Sequence, residues 1–233
     1  MKVLIVHAHY EAKSFNSALK DVAVKTLTEA GHEVQVSDLY AMNWNPVASQ
    51  ADFAEPTNPD YCVYALEQRK GFESGSIAPD IQTEIAKVDW CDLLIFNFPV
   101  FWFSVPAILK GWIDRVFVSG HFYGGKRFYD QGGMRGKKAM LTLSLGGQPH
   151  MFGPVAIHGE MDILLRPIMR GALAYCGFTV LPPHVAYHVP YVSQKEREKM
   201  LKNYSAHLLQ LDQLVPLTFP SLTDFDERLH PRP

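Results

Sequence analysis

The chain has little that commits it to special chemistry. It carries three cysteines in 233 residues, Cys62, Cys91 and Cys176, too widely spaced for a zinc motif. An odd count without a signal peptide points to a reducing cytoplasm. The opening MKVLIVHAH has too short an apolar run for such a peptide and no cleavage-site pattern. Charge of one sign is scarce: the net charge of −2 gives neither nucleic acid nor an anionic membrane a handle. There is no G-x-G-x-x-G, no phosphate-binding G-x-x-x-x-G-K-[ST], no H-E-x-x-H and no G-x-S-x-G elbow. The H-x-x-x-H pair of His184 and His188 falls in an expected strand, where the two would stand about 13 Å apart, too far to share a metal. No metal site is expected. Residues 93–109 are almost wholly apolar, but Asn97, Pro99, Ser104 and Pro106 interrupt them. A spanning helix needs about 20 apolar residues, and two prolines would break its hydrogen-bond ladder, so membrane insertion is not expected.

What remains is an ordinary globular composition, 47% apolar and 20% charged, and a length that supports one α/β core. Apolar runs at residues 2–9, 33–39, 92–98, 138–145 and 179–188 read as strands. Helices are expected over 15–30, 78–88, 106–117, 153–175 and 194–211. Ser14 caps the first of them and Gly31 ends it. Pro167 should kink the fourth. Residues 40–75 read as one long loop, 123–136 as a Gly-rich loop, and 215–233 as an irregular tail after a domain of residues 1–214. Strands alternating with helices predict a doubly wound parallel sheet with helices on both faces. Five strands suggest the order 2-1-3-4-5, which puts the ligand crevice at the carboxyl ends of strands one, three and four.

Three loops then converge. The first, HAHYEAKSFN, leads into a helix amino terminus, where free N–H groups and the helix dipole suit an anion. His9, Ser14 and Asn16 add side-chain donors. The second follows strand three and carries Phe101, Trp102 and Phe103. An aromatic platform there suits a flat heteroaromatic ligand such as a flavin, though the segment also reads as a core strand with aromatics on its packed end. The third, SLGGQPHMFG, puts Gly146 and Gly147 straight after strand four, where backbone can approach a ligand closely or simply turn. His158, placed one turn into the next helix, could donate to or accept from a flavin pyrimidine or be structural.

These landmarks resemble the NAD(P)H:quinone oxidoreductase (DT-diaphorase) family of flavodoxin-like flavoproteins. The resemblance rests on H-x-x-x-x-S-F-N (9–16), SDLYAMNWNP (37–46), FPVFWFSVPAILKGW (98–112), GG-x-x-x-M (146–151), IHG (157–159) and CGF (176–178). It implies a bound flavin, FAD or in some bacterial relatives FMN, with NADH or NADPH as co-substrate. It implies two-electron reduction of quinones, and of azo or nitro compounds, by ping-pong hydride transfer. His9, Ser14, Phe15, Asn16 and Ala18 match residues around the pyrophosphate, with Arg197 near the phosphates. Pro99, Val100, Trp102 and Phe103 match the isoalloxazine edge, and Ser144, Leu145, Gly146 and Gly147 the loop under the ring. Backbone N–H groups at Gly146 and Gly147, with His158, would stabilise charge on the reduced ring. The family is homodimeric, and Tyr123, Phe128 and Tyr175 match partner-side walls of a substrate pocket also lined by Trp102, Phe103, Met151 and His158. Three positions depart from the family: its flavin-side tyrosine is Phe152, a second cavity tyrosine is Gly125, and its two threonines before Gly-Gly are Ser144 and Leu145. A second reading is a regulatory flavoprotein subunit of a glutathione-gated potassium efflux system. A one-electron flavodoxin carrier would need stronger acidity for docking.

Overall fold

Alternate residues of a buried parallel strand face opposite sides of the sheet, so each strand must be apolar on both. β1 (Lys2–His7), β3 (Leu93–Pro99) and β4 (Lys138–Ser144) are such strands, and β2 (Glu33–Asp38) is the more exposed edge. The structure, a computed structural model, describes residues 1–58 and 60–232. Pro59 of the expected long loop and Pro233 of the expected tail lie outside the described residues. The sheet is parallel, with strands in the order β2-β1-β3-β4-β5 and β6 also paired to β4. Here β5 is Thr179–Val180 and β6 is His184–Ala186.

Val3 and Ile5 of β1 face α1 (Phe15–Glu29) and α6 (Gln194–Leu208), packing with Leu19, Ala23, Leu27, Tyr204 and Leu208. Leu4 and Val6 face the other side, with residues of α3 (Pro79–Trp90), α4 (Ala107–Val116) and α5 (Met161–Ile168). Ser14 caps α1 by accepting from the Ser17 N–H.

Several elements differ from expectation. Residues 40–75 are not one loop: they hold a 3₁₀ turn (Gln50–Asp52) and α2 (Tyr64–Ser74), closed by Gly75 in the left-handed region. Polar residues on the buried face of α2 hide its period. Glu67 accepts from the Thr57 N–H and hydroxyl, and Gln68 donates to the Asp114 carbonyl. Arg115 anchors the segment through a buried ion pair with Asp52 at 2.7 Å and a second to Asp80 at 2.8 Å. Burial alone would raise the Asp52 carboxyl, but hydrogen bonds from Arg115 and Tyr64 outweigh it and hold the carboxyl low. Gly111 permits the close approach of Pro46, whose carbonyl oxygen an added Cβ would meet at 2.0 Å.

The expected helix 153–175 begins only at Met161, because Gly153 and Gly159 take positive φ. Past Pro167 it widens into a π-helical segment (Met169–Ala174). Such a widening re-satisfies backbone that an interior proline disturbs. Strand five is split because Pro182 and Pro183 stand where ladder donors are needed. The first strand stops at His7 and the last helix at Leu208, each short of the expected limit. The tail carries a 3₁₀ turn (Leu222–Asp224), tied down by Asp130, which accepts from the Leu222 N–H and the Ser221 hydroxyl.

His184 gives this fold a pH limit. It is packed against Tyr204 and His207, with ring centroids at 4.5 and 5.2 Å. Burial, and secondarily the neighbouring His207, pushes its pKa down to about 4. A base whose folded pKa is depressed stays neutral in the native state while the unfolded chain takes up the proton. Stability is therefore expected to fall by an amount on the order of 2 kcal/mol as pH drops from about 6.5 toward 4. Urea titrations at pH 7 and pH 5 check this. His184→Gln should flatten the dependence, and an unchanged slope in that variant would remove His184 as its source.

Candidate functional site

The carboxyl ends of β3 and β4 carry the aromatic and Gly-Gly loops to one cleft of about 260 Å³. Its walls include Val100, Trp102, Phe103, Leu145, Gly146, Gly147, Phe152 and His158. Met161, Leu164 and Leu165 of α5 close one side. Sequence reasoning missed those three as site residues, because their spacing reads as an ordinary core stripe. Pro99 ends β3 buried beneath, paired in register with Ser144.

The aromatic loop is a tight reversal. Phe101 and Ser104 exchange backbone hydrogen bonds at 3.0 and 2.9 Å, with Trp102 and Phe103 at φ 50° and 56° between them. Positive φ at both central residues is the type I′ turn, which ordinarily takes Asn and Gly. Two bulky aromatics there cost on the order of 1–3 kcal/mol each. They hold Phe103 over the cleft and leave Trp102 97% exposed at its rim. Replacing the pair by Asn-Gly is expected to raise stability by about 1–2 kcal/mol and to abolish ring stacking in the cleft. Denaturant midpoints and ligand titration of the same variant check both halves. A loss of stability would mean that aromatic contacts outweigh the strain.

His158 lies in the turn before α5, not inside the helix, and its N–H donates to the Met151 carbonyl. Its ring stands 5.2 Å from Phe103 and 5.2 Å from Phe152, between the two. Phe152 also packs 5.6 Å from Tyr187. Met151 supports that turn and does not line the cleft. Gly147 is required by proximity: an added Cβ would meet the Phe152 ring at 2.9 Å.

A second cleft of about 360 Å³ opens at the amino terminus of α1. Lys13, Ser14, Phe15, Ala18, Gln194 and Arg197 line it. The first turn of α1 holds no acidic residue, so its amide dipoles are not offset. His9 lies in the loop before it and accepts from the Glu11 N–H at 3.0 Å. Burial lowers its pKa, so its imidazole is neutral near pH 7. The two clefts are joined by backbone: the Gly147 and Leu145 carbonyls accept from His188 and Val189, and Arg197 donates to the Val189 carbonyl. His188 belongs to this junction, past the end of β6 and at φ 58°, so the expected strand spacing from His184 does not apply. Among the described residues, no group of three or more His, Cys, Asp or Glu could hold a metal ion.

Tyr123, Phe128 and Tyr175 are brought together elsewhere. Phe128 stacks on Tyr175 at 5.5 Å and 7°, and Tyr123 lies 5.6 Å from Tyr175. Tyr123 and Tyr175 line a groove of about 550 Å³ with Tyr64, Gln68 and Phe117. None of the three aromatics reaches the cleft of the same chain.

A parallel sheet in this order, with its cleft at the carboxyl ends of β3 and β4, defines a flavodoxin-like protein, and a family profile described as flavodoxin-like fold matches residues 1–208. The chain is 42% identical over 217 residues to ribosyldihydronicotinamide dehydrogenase [quinone] of Mus musculus, covering 93% of this chain and 94% of the relative. It is 40% identical over 226 residues to NAD(P)H dehydrogenase [quinone] 1 of Rattus norvegicus, covering 97% and 82%. A Klebsiella pneumoniae protein assigned as a quinone reductase superposes with a TM-score of 0.94 at 38% identity, covering 100% of this chain and 94% of that one. The chain belongs to the flavodoxin-like NAD(P)H:quinone oxidoreductase family and is an oxidoreductase. No helix of the described residues is long and apolar enough to cross a membrane.

Proposed function

We propose that this chain binds FAD and passes hydride equivalents from NADH or NADPH to quinones in two half-reactions at one slot. One observation carries the reading: an aromatic-walled cleft and an anion-suited cleft lie on the same sheet edge, joined through Leu145, Gly147, Val189 and Arg197. The residues suit such a group. Gly146 keeps the loop open, with only the Tyr191 ring, at 3.5 Å, near where a Cβ would stand, α1 offers unoffset amides, and the buried Asn97 Nδ2 has no partner.

When bound, the flavin supplies the hydride acceptor and donor. The chain's own work is to bind, orient and exclude water. Trp102 and Phe103 would hold one edge of the ring, with Leu145, Gly146 and Gly147 on the adjoining wall of the cleft. The first-turn amides of α1 with Ser14, Lys13 and Arg197 would hold the phosphates. Amides at Gly146 and Gly147, with the His158 imidazole, would stabilise negative charge on the reduced ring. Phe152 brings no hydroxyl to that task.

The slot is one stacking position, so the nicotinamide and the quinone take turns. Parallel double-reciprocal plots are expected when both substrates are varied, and intersecting lines would indicate a ternary complex instead. The same preparation identifies the cofactor: denaturation should release FAD on chromatography, and release of FMN would reassign the second cleft to a terminal phosphate.

The site is completed across a homodimer in this reading. Trp102 of the cleft rim is almost fully exposed, and so are Val155 and Ile157 in the turn that carries His158, with Ile157 85% exposed. Tyr123, Phe128 and Tyr175 would face that rim from a second copy.

A further inference from the structure

β1, β3 and β4 each carry, at or near the carboxyl end, a polar residue that apolar strands rarely bury: His7, Asn97 and Ser144. With Asn16 and Ser17 of α1 they form a connected hydrogen-bond chain beneath both clefts. His7 and Asn97 are register partners on adjacent strands. Asn97 Oδ1 lies 3.2 Å from His7 Nδ1 and 3.4 Å from Asn16 Nδ2. Ser144 donates its hydroxyl to Asn16 Oδ1. On its other side, His7 Nε2 lies 3.2 Å from Ser17 Oγ.

The acceptor at Nδ1 places the imidazole proton there, and burial keeps the ring neutral against the weaker pull of Asp38. Nε2 is then a lone pair facing the Ser17 hydroxyl. The single Ser17 hydroxyl hydrogen is shared between that lone pair and the Glu11 carbonyl at 2.9 Å, and Ser14 Oγ lies 3.0 Å from Ser17 Oγ. The first turn of α1 is therefore fixed to the sheet through His7. The Asn97 side-chain amino group is left without a partner in a fully buried position. A network with a spare donor tolerates little slack, since each unmade bond at this depth is costly.

We propose that His7 is a positioning residue that sets the first turn of α1, and thereby the phosphate-binding donors, against the floor of the ring cleft. The proposal rests on the flavin reading above and assigns its phosphate end a support on β1. His7 touches no bound group itself. It acts through Ser17 on Ser14 and the α1 amides, and through Asn97 and Asn16 on Ser144.

Riboflavin and FMN differ by one phosphate, so the ratio of their dissociation constants for the flavin-stripped protein isolates the phosphate end. His7→Leu is expected to lower that ratio about tenfold, the scale of one hydrogen bond to a charged group. His7→Gln, whose amide can reach Ser17, should restore most of it. His7→Asn, which reaches only Asn97, should not, and this pair carries the test if the leucine variant does not fold. Equal weakening of riboflavin and FMN would mean a merely structural role and overturn the proposal. So would an unchanged ratio, or equal ratios in the Gln and Asn variants. Wild-type protein that binds neither flavin would overturn the flavin reading itself, and this proposal with it.

Discussion

Phe152→Tyr is expected to raise the rate of flavin reduction by NADH or NADPH by about one to two decades, and His158→Gln to slow the same step. The Phe152 ring stands 5.2 Å from the His158 ring and both line the cleft, so a tyrosine here brings a hydroxyl to the wall that carries the imidazole. A hydrogen bond to a developing charge contributes roughly 1.5–3 kcal/mol, which converts to that range of rate. Stopped-flow absorbance with NADH in the absence of quinone isolates the step. Reduction rates that neither substitution moves would show that charge at the ring is stabilised by the Gly146 and Gly147 amides without help from this pair. Tyr187 packs against the same ring, so Tyr187→Phe serves as the control that separates packing from hydrogen bonding.

The second large effect concerns assembly. A chain with Trp102→Ala and a chain with Tyr175→Ala are each expected to be nearly inactive as homodimers, because every site then carries a defect. Co-expressed, they reassort. Each heterodimer holds one doubly defective site and one intact site, so the mixture should recover about a quarter of wild-type turnover. No recovery would mean that Trp102 and Tyr175 of a single chain serve the same site, or that dimers do not form. The motive is geometric: Tyr175 stacks with Phe128 in a cluster remote from the cleft of its own chain, while Trp102 stands free at the rim. An obligate interface of this kind should bury above about 2,000 Å² in total.

The sheet was legible because β1, β3 and β4 are apolar on both faces, and a strand buried on both sides has no other sequence. Its order followed from the alternation of strands and helices. The cleft loops followed from the same rule, since Phe101–Phe103 and Gly146–Gly147 directly succeed strands. Other features were hidden for definable reasons. The buried face of α2 carries Glu67 and Gln68, whose partners, Thr57 and the Asp114 carbonyl, are distant in sequence, so no apolar period marks the helix. The stripe of Ile157, Met161, Leu164 and Ile168 has helical spacing, yet Ile157 is outside the helix and exposed. Gly159 was the available signal, since a glycine at positive φ stops a helix from extending backwards. His7 and Asn97 were present as single polar residues inside apolar strands. That pattern flags a buried hydrogen-bond pair, but which residues meet depends on the register between β1 and β3.

Anaerobic mixing of the purified protein with NADH or NADPH, with no quinone present, tests the central claim most directly. The account predicts a yellow protein whose flavin absorbance bleaches stoichiometrically on mixing and returns when a quinone is then added. A colourless protein, or a flavin that stays oxidised until quinone and nicotinamide are both present, would contradict it.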